Sequence, residues 1–169
     1  MQSNLSNLYE RCLYLESKKR IFVWGIDGVS MKEIQDQLEV ILPKDFIEIN
    51  TNSGYMGFPT MEFSEIANDR NYIVEDNKRL RKWYNEDSNG KSDMSHILVL
   101  ADDDGGSVFM ITQDSPEKPT PIIWCDAGDM YWYSIDGKFP HPHDEWPSFT
   151  DFFEYLVEQE ERNLEEDKG

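Results

Sequence analysis

The chain has 169 residues, of which 38% are hydrophobic and 13% aromatic, and its 34 acidic against 16 basic side chains leave a formal net charge of −18. That length suits one domain, residues 1–169, with a core large enough to hide about two thirds of the unfolded surface, and the charge argues against direct binding of nucleic acid or anionic lipid, since both would be repelled. No apolar window approaches the roughly 18–20 residues of a membrane span, the first residues form no basic-then-apolar leader, and Cys12 and Cys125 give neither a disulfide framework nor a metal-knuckle spacing, so a cytoplasmic protein with reduced, inert thiols is expected.

Leu5, Leu8, Cys12 and Leu15 recur at three- and four-residue spacing, which predicts an amphipathic helix over 3–18, within an N-terminal helical segment 1–20, lying on a sheet. The run Ile21, Phe22, Val23, Trp24 is strand or extended connector, ended by Gly25. Ser30 and Glu33 have the spacing of a capping box, so a helix is expected to start at Ser30, bury Ile34, Leu38, Ile41 and Leu42, and stop at Pro43. Pro43 also suits the first turn of a second short helix with Phe46, Ile47 and Ile49 inward. After a break at 52–54, residues 55–58 read as an edge strand or packed loop. Phe63, Ile66, Ile73, Leu80 and Trp83 then mark the inner side of one long or two broken helices, and 85–93 is polar and turn-rich, the expected flexible loop.

The stretch 96–129 organises the rest. Ile97, Leu98, Val99 and Leu100 are apolar at every position, the pattern of a strand covered on both faces, and read as a central strand. Acidic residues and two glycines at 102–106 can turn the chain into Val108, Phe109, Met110 and Ile111, and a Pro-bearing break leads to Ile122, Ile123, Trp124 and Cys125, giving a three-stranded meander. Met130 to Ile135 would be a further strand with rings on both faces, and the alternating prolines of 139–143 keep that segment out of a central ladder. Ser148 caps a last helix with Phe149, Phe152, Phe153, Leu156 and Val157 inward, and the charged end beyond it, 160–169 at its extreme, should be frayed and solvated.

Chemistry is sparse. Asp102, Asp103 and Asp104 lack the alternating ligand positions and closing Glu of a calcium loop, with Gln113 where the Glu would stand. His141, His143 and Asp144 could offer metal ligands, but no third strong ligand adjoins them. There is no phosphate loop, dinucleotide fingerprint, hydrolase elbow or kinase set, and Cys125, in an apolar strand before Asp126, has surroundings that favour the unreactive thiol. The aromatic set Trp124, Tyr131, Trp132, Tyr133 and Trp146, with Asp126 and Asp129 beside it, offers anchors for a protein partner, since so few helices cannot bury both sheet faces.

A helix ending in Leu42-Pro43 and followed by Lys44-Asp45-Phe46, a strand running into the acidic Gly105-Gly106 turn, a Trp-bearing strand at 122–126, and a terminal Ser148-Phe149 helix with Phe152 occur in an order that resembles the SUKH superfamily, the Smi/Knr-type proteins. The similarity covers about residues 25–160. It implies an α+β fold, a twisted and mainly antiparallel sheet of about five to six strands flanked by N-terminal helices and a C-terminal helix. It further implies a non-enzymatic binding protein. Many bacterial members look like immunity proteins that neutralise a toxin, often a nuclease, and fungal members are regulators of cell-wall synthesis. No catalytic residue, metal or cofactor carries over. The expected partner is a cationic toxin domain, met by Asp102, Asp103, Asp104, Trp124, Asp126, Asp129, Trp132 and Tyr133, on a monomer or weak dimer. The alternatives are a regulatory scaffold of the same family and, from another class, a metal-dependent hydrolase built on His141 and His143.

Overall fold

A computed structural model describes residues 2–18, 28–51, 70–102 and 105–167, with the backbone alone at 2–5, 28–30 and 70–72. Among these residues the fold is α+β: six helices and one antiparallel sheet of four strands, where five to six were expected. In chain order they are α1 (Gln2–Ser17), α2 (Gly28–Leu38), α3 (Lys44–Thr51), α4 (Arg70–Asp87), β1 (Ile97–Asp102), β2 (Gly106–Ile111), β3 (Ile122–Asp126), α5 (Asp129–Asp136), β4 (Asp144–Trp146) and α6 (Phe149–Glu166). The run from Ile21 to Gly25, the break at 52–54, the element expected at 55–58, and Phe63 and Ile66 lie outside the described residues, as do Asp103 and Asp104.

The sheet is a plain meander, β1-β2-β3-β4, in which Val99 pairs with Phe109, Phe109 with Ile123, and Trp124 with Asp144. Because successive strand residues point to opposite faces, the apolar runs divide cleanly. Leu98, Leu100, Val108, Met110 and Ile122 enter one core with α1, α2, α3, α6 and the start of α4. Ile97, Val99, Phe109, Ile123 and Cys125 enter a second with Leu80 and Tyr84 of α4, Met94, and Met130 of α5. The helix α1 packs on α6, so the expected seat on the sheet is taken instead by a helix-on-helix layer.

The strand β1 is covered on both faces, as its sequence requires, but it lies at the sheet's edge and not at its centre. An open edge invites pairing with another chain, and α4 closes it. Asn77, fully buried, accepts from the Val99 amide (2.8 Å) and donates to the Val99 carbonyl (2.9 Å), so one carboxamide stands in for a neighbouring strand. Arg81 donates to the Ile97 carbonyl (3.1 Å) and to the Leu38 carbonyl at the end of α2 (2.7 Å).

Helix ends differ from expectation where backbone geometry overrides side-chain signals. The helix α2 begins at Gly28, ahead of Ser30, and stops at Leu38 because Glu39 adopts φ 55. The Val40 amide then donates to the Gln35 carbonyl (3.3 Å), the bond of a left-handed C-terminal cap. Leu42 is still buried, whereas Ile41 points outward. The segment 130–135, read as a strand, is α5: Gly128 (φ 89) and Gly137 (φ 66) bracket it, and the Gly137 amide donates to the Tyr133 carbonyl. Its inward residues, Met130 and Ser134, are four apart. The charged end is helical to Glu166 rather than frayed, because Arg11 of α1 grips Glu161 bidentately (2.9 and 2.8 Å) and reaches Glu154 (3.3 Å). The Ser148 cap forms as expected, its hydroxyl accepting from the Asp151 amide. Within 85–93, three residues extend α4, and Ser88 Oγ and Ser134 pin the remainder through the amides of Lys91, Ser92 and Asp93. No helix among the described residues is long and apolar enough to cross a membrane.

Candidate functional site

Gly105 and Gly106 at the start of β2, the end of β3 and the segment leading into β4 meet at one end of the sheet. Strand pairing sets Gly106 opposite Asp126, Ser107 opposite Cys125 and Trp124 opposite Asp144. Gly106 is needed here for closeness, not for turning. A Cβ on it would lie 2.6 Å from the Cys125 carbonyl oxygen and 3.0 Å from Trp124 Nε1, so β2 can press against β3 only without a side chain. Beside this contact lies an open recess of about 350 Å³, walled by Trp124, Asp126, His143 and Asp144. Trp124 remains 36% exposed.

Three of the carboxylates expected at the site converge on Cys125. Burial, together with the charges of Asp129, Asp126 and Asp102, pushes its thiol up to about 12, so it stays protonated at neutral pH and supplies no nucleophile. Asp102 closes β1 and accepts from the Ser107 hydroxyl. The same carboxylate, after burial, helps hold the Tyr84 phenol above its ordinary range. Asp126 is exposed at the end of β3. Asp129 is 2% exposed, in the first turn of α5, where the helix N-terminus favours negative charge. It hydrogen-bonds His141 Nδ1 at 2.9 Å, and that bond and its charge raise the His141 pKa. His143 packs its ring on Phe139 (4.0 Å) and lies 3.8 Å from Glu145. The two histidines therefore fasten segment 139–143 to the acidic end. Among the described residues no three His, Cys, Asp or Glu side chains are grouped so as to hold a metal ion.

The remaining expected residues go elsewhere. Trp132 is 52% exposed on the outer side of α5, and Tyr133 stacks on Phe139 (4.4 Å, 13°) beneath that helix. Both assignments changed neighbours when 130–135 folded as a helix. Trp146 leaves the candidate surface altogether: it packs between Phe152 and Tyr155 of α6, each about 4.9 Å away. Asp144, named from the sequence only as a possible metal ligand, was missed as a rim residue of this recess, because only pairing with β3 brings so short and charged a strand to the site. Trp83 was assigned to a core stripe and is 57% exposed. Its position one residue before the buried Tyr84, with Leu80 already filling the inward side, was the available signal.

The family model for the SMI1 / KNR4 family (SUKH-1) matches residues 25–155, well over half of the chain, and the chain belongs to that family. No curated protein matches it. Membership is consistent with an immunity or regulatory module.

Proposed function

We propose that this SMI1/KNR4 family member is a non-enzymatic protein-binding module of immunity type, which acts in the cytoplasm by covering a cationic toxin domain, such as a nuclease, with its acidic sheet end. The observation that carries the reading is the pair Asp126 and Asp144 in the wall of a recess that Trp124 also lines, with Asp102 at the same sheet end beside Cys125, in a chain of net charge −18. Charge of one sign over a whole surface steers an oppositely charged partner and accelerates capture. A partly exposed indole amid carboxylates is suited to an arginine side chain, which can stack on the ring and bridge to the acids. Release is then slow because the ring must be rehydrated. The protonated Cys125 and a His141 already engaged by Asp129 favour binding over turnover.

Affinity capture from the source organism, with the full chain as bait at low and at high salt, tests this. The expected result is a basic protein whose affinity falls about tenfold or more between roughly 0.05 and 0.5 M salt, as the Debye length shrinks, and falls again in Trp124→Ala and Asp126→Lys. Co-expression should relieve that protein's toxicity. A partner whose affinity ignores both salt and these substitutions would overturn the electrostatic docking, and one that is no toxin would leave a regulatory scaffold.

A further inference from the structure

Four aromatic rings on α4 and α5 form a continuous ridge unrelated to the recess beside Trp124. Trp83 meets Tyr84 at 5.3 Å between ring centroids, Tyr84 meets Tyr131 edge-on at 5.0 Å, and Tyr131 meets Trp132 at 5.4 Å. Tyr84 is buried and roots the ridge in the second core, while Trp83 and Trp132 are more than half exposed at its two ends. Tyr131 is held by its hydroxyl, which donates to Asp87 Oδ2 at 2.7 Å. Exposed indoles and phenols held rigid in this way are the residues that dominate stable protein interfaces, since they bury much area and lose little freedom.

The charge around the ridge indicates what covers it. The chain as a whole is at −18, yet on α4, apart from the inward Arg81, basic Lys78, Arg79 and Lys82 are interspersed with acidic Glu75, Asp76, Glu86 and Asp87. On a face of mixed charge two copies can meet with less mutual repulsion than the net charge of the chain implies. Along α4, Arg79, Trp83 and Asp87 are spaced four apart and share one stripe. That order is self-complementary. If two such helices cross antiparallel about a two-fold axis through Trp83, Arg79 of each copy lies opposite Asp87 of the other, and the indoles meet between them. Isologous contacts of this kind are the usual way soluble chains dimerise. Arg79 can serve, being 72% exposed and, among the described residues, paired within its own helix to Asp76 at 2.8 Å.

We infer that the Trp83–Trp132 ridge is the interface for a second copy of this chain, in a two-fold dimer centred on Trp83 with Arg79 and Asp87 exchanged between copies. Nothing in this inference depends on the toxin-binding reading.

Sedimentation velocity on the full chain over about 5–500 µM, a range that spans weak dissociation constants, reads it directly. The wild type should shift from monomer to dimer. Trp83→Ser should raise the dissociation constant at least about tenfold, as expected for a central aromatic anchor. Arg79→Glu and Asp87→Lys should each abolish self-association, and the two mixed should form a one-to-one heterodimer, because one stripe is then wholly acidic and the other wholly basic. Tyr131→Phe removes the internal bond to Asp87 without changing the stripe, and should still dimerise. Circular dichroism confirms that each variant folds. A wild type that remains monomeric throughout, or charge variants that do not pair on mixing, would overturn the dimer. So would loss of a captured cationic protein on Trp83→Ser in a monomeric wild type, which would give the ridge to that partner instead.

Discussion

The two faces of this sheet are built from the same kind of strand and do different work. The face beneath α1, α2, α3 and α6 is closed by aliphatic residues and by Phe46, Phe149, Phe152 and Phe153, all fully buried and without a polar atom in their side chains. The face beneath α4 and α5 is narrower and is covered by Tyr84, Tyr131, Tyr133 and Phe139, of which only Tyr84 is fully enclosed. A phenol or indole can be apolar on one side and wet on the other, so this second face ends in rings and carboxylates at the surface. The larger buried core lies on the first face, whereas the aromatic ridge lies on the second and the recess beside Trp124 at the acidic sheet end.

The contrast can be broken most severely at Phe152. Phe152→Ala removes a fully buried ring that packs on Trp146 and Phe149, and should cost about 3–5 kcal/mol, read by urea denaturation. Tyr133→Ala, on the second face, should cost only about 1–2 kcal/mol, since the ring it stacks on remains partly wet. If the two losses were equal, the division of labour would fail.

At the edge between the faces, Asn77→Ala leaves the Val99 amide and carbonyl without their partner. Each orphaned group should cost roughly 1–3 kcal/mol, and light scattering should detect association through the uncovered edge of β1. Gly106→Ala should cost about 1–3 kcal/mol, because its methyl group meets a backbone oxygen that cannot move without parting β2 from β3. Its more specific consequence is displacement of Trp124, visible as a shift in tryptophan fluorescence.

The gentlest probe is pH. The bond and charge of Asp129 raise the His141 pKa. The pair's contribution to stability is therefore present in full below the ordinary histidine value of about 6.5, and is lost as pH rises through the raised value in the fold. Melting curves of wild type and His141→Asn should differ at pH 5.5–6 by more than at pH 9, to within about the small size of an exposed pair. A constant difference across that range would show that His141 anchors segment 139–143 by shape and not by charge.

Much of the architecture was legible because it is local. Runs such as 97–100 and 108–111, separated by acidic and glycine-bearing turns, specify strands and a meander without reference to anything distant. Ser148 and the spacing of Phe149, Phe152 and Phe153 specify the last helix in the same way. The site was legible only in part. Trp124, Asp102 and Asp126 share one sheet end because they lie at the ends of strands whose register the sequence implies, whereas Trp132 and Tyr133 were grouped with them through a strand that does not form. Aromatic residues at 131–133 favour a pleated surface. Two glycines with positive φ and the hole filled by Met130 and Ser134 outweigh that preference.

By itself the sequence determined the charge, the meander of β1, β2 and β3 and the family to which the chain belongs. Tertiary structure alone decided that β1 is an edge sealed by Asn77, that 129–136 is helical, and which rings face water. Each of these depends on partners distant in sequence, as Asn77 is from Val99 and Trp146 from Tyr155. A chain read one window at a time has no access to the space those partners leave.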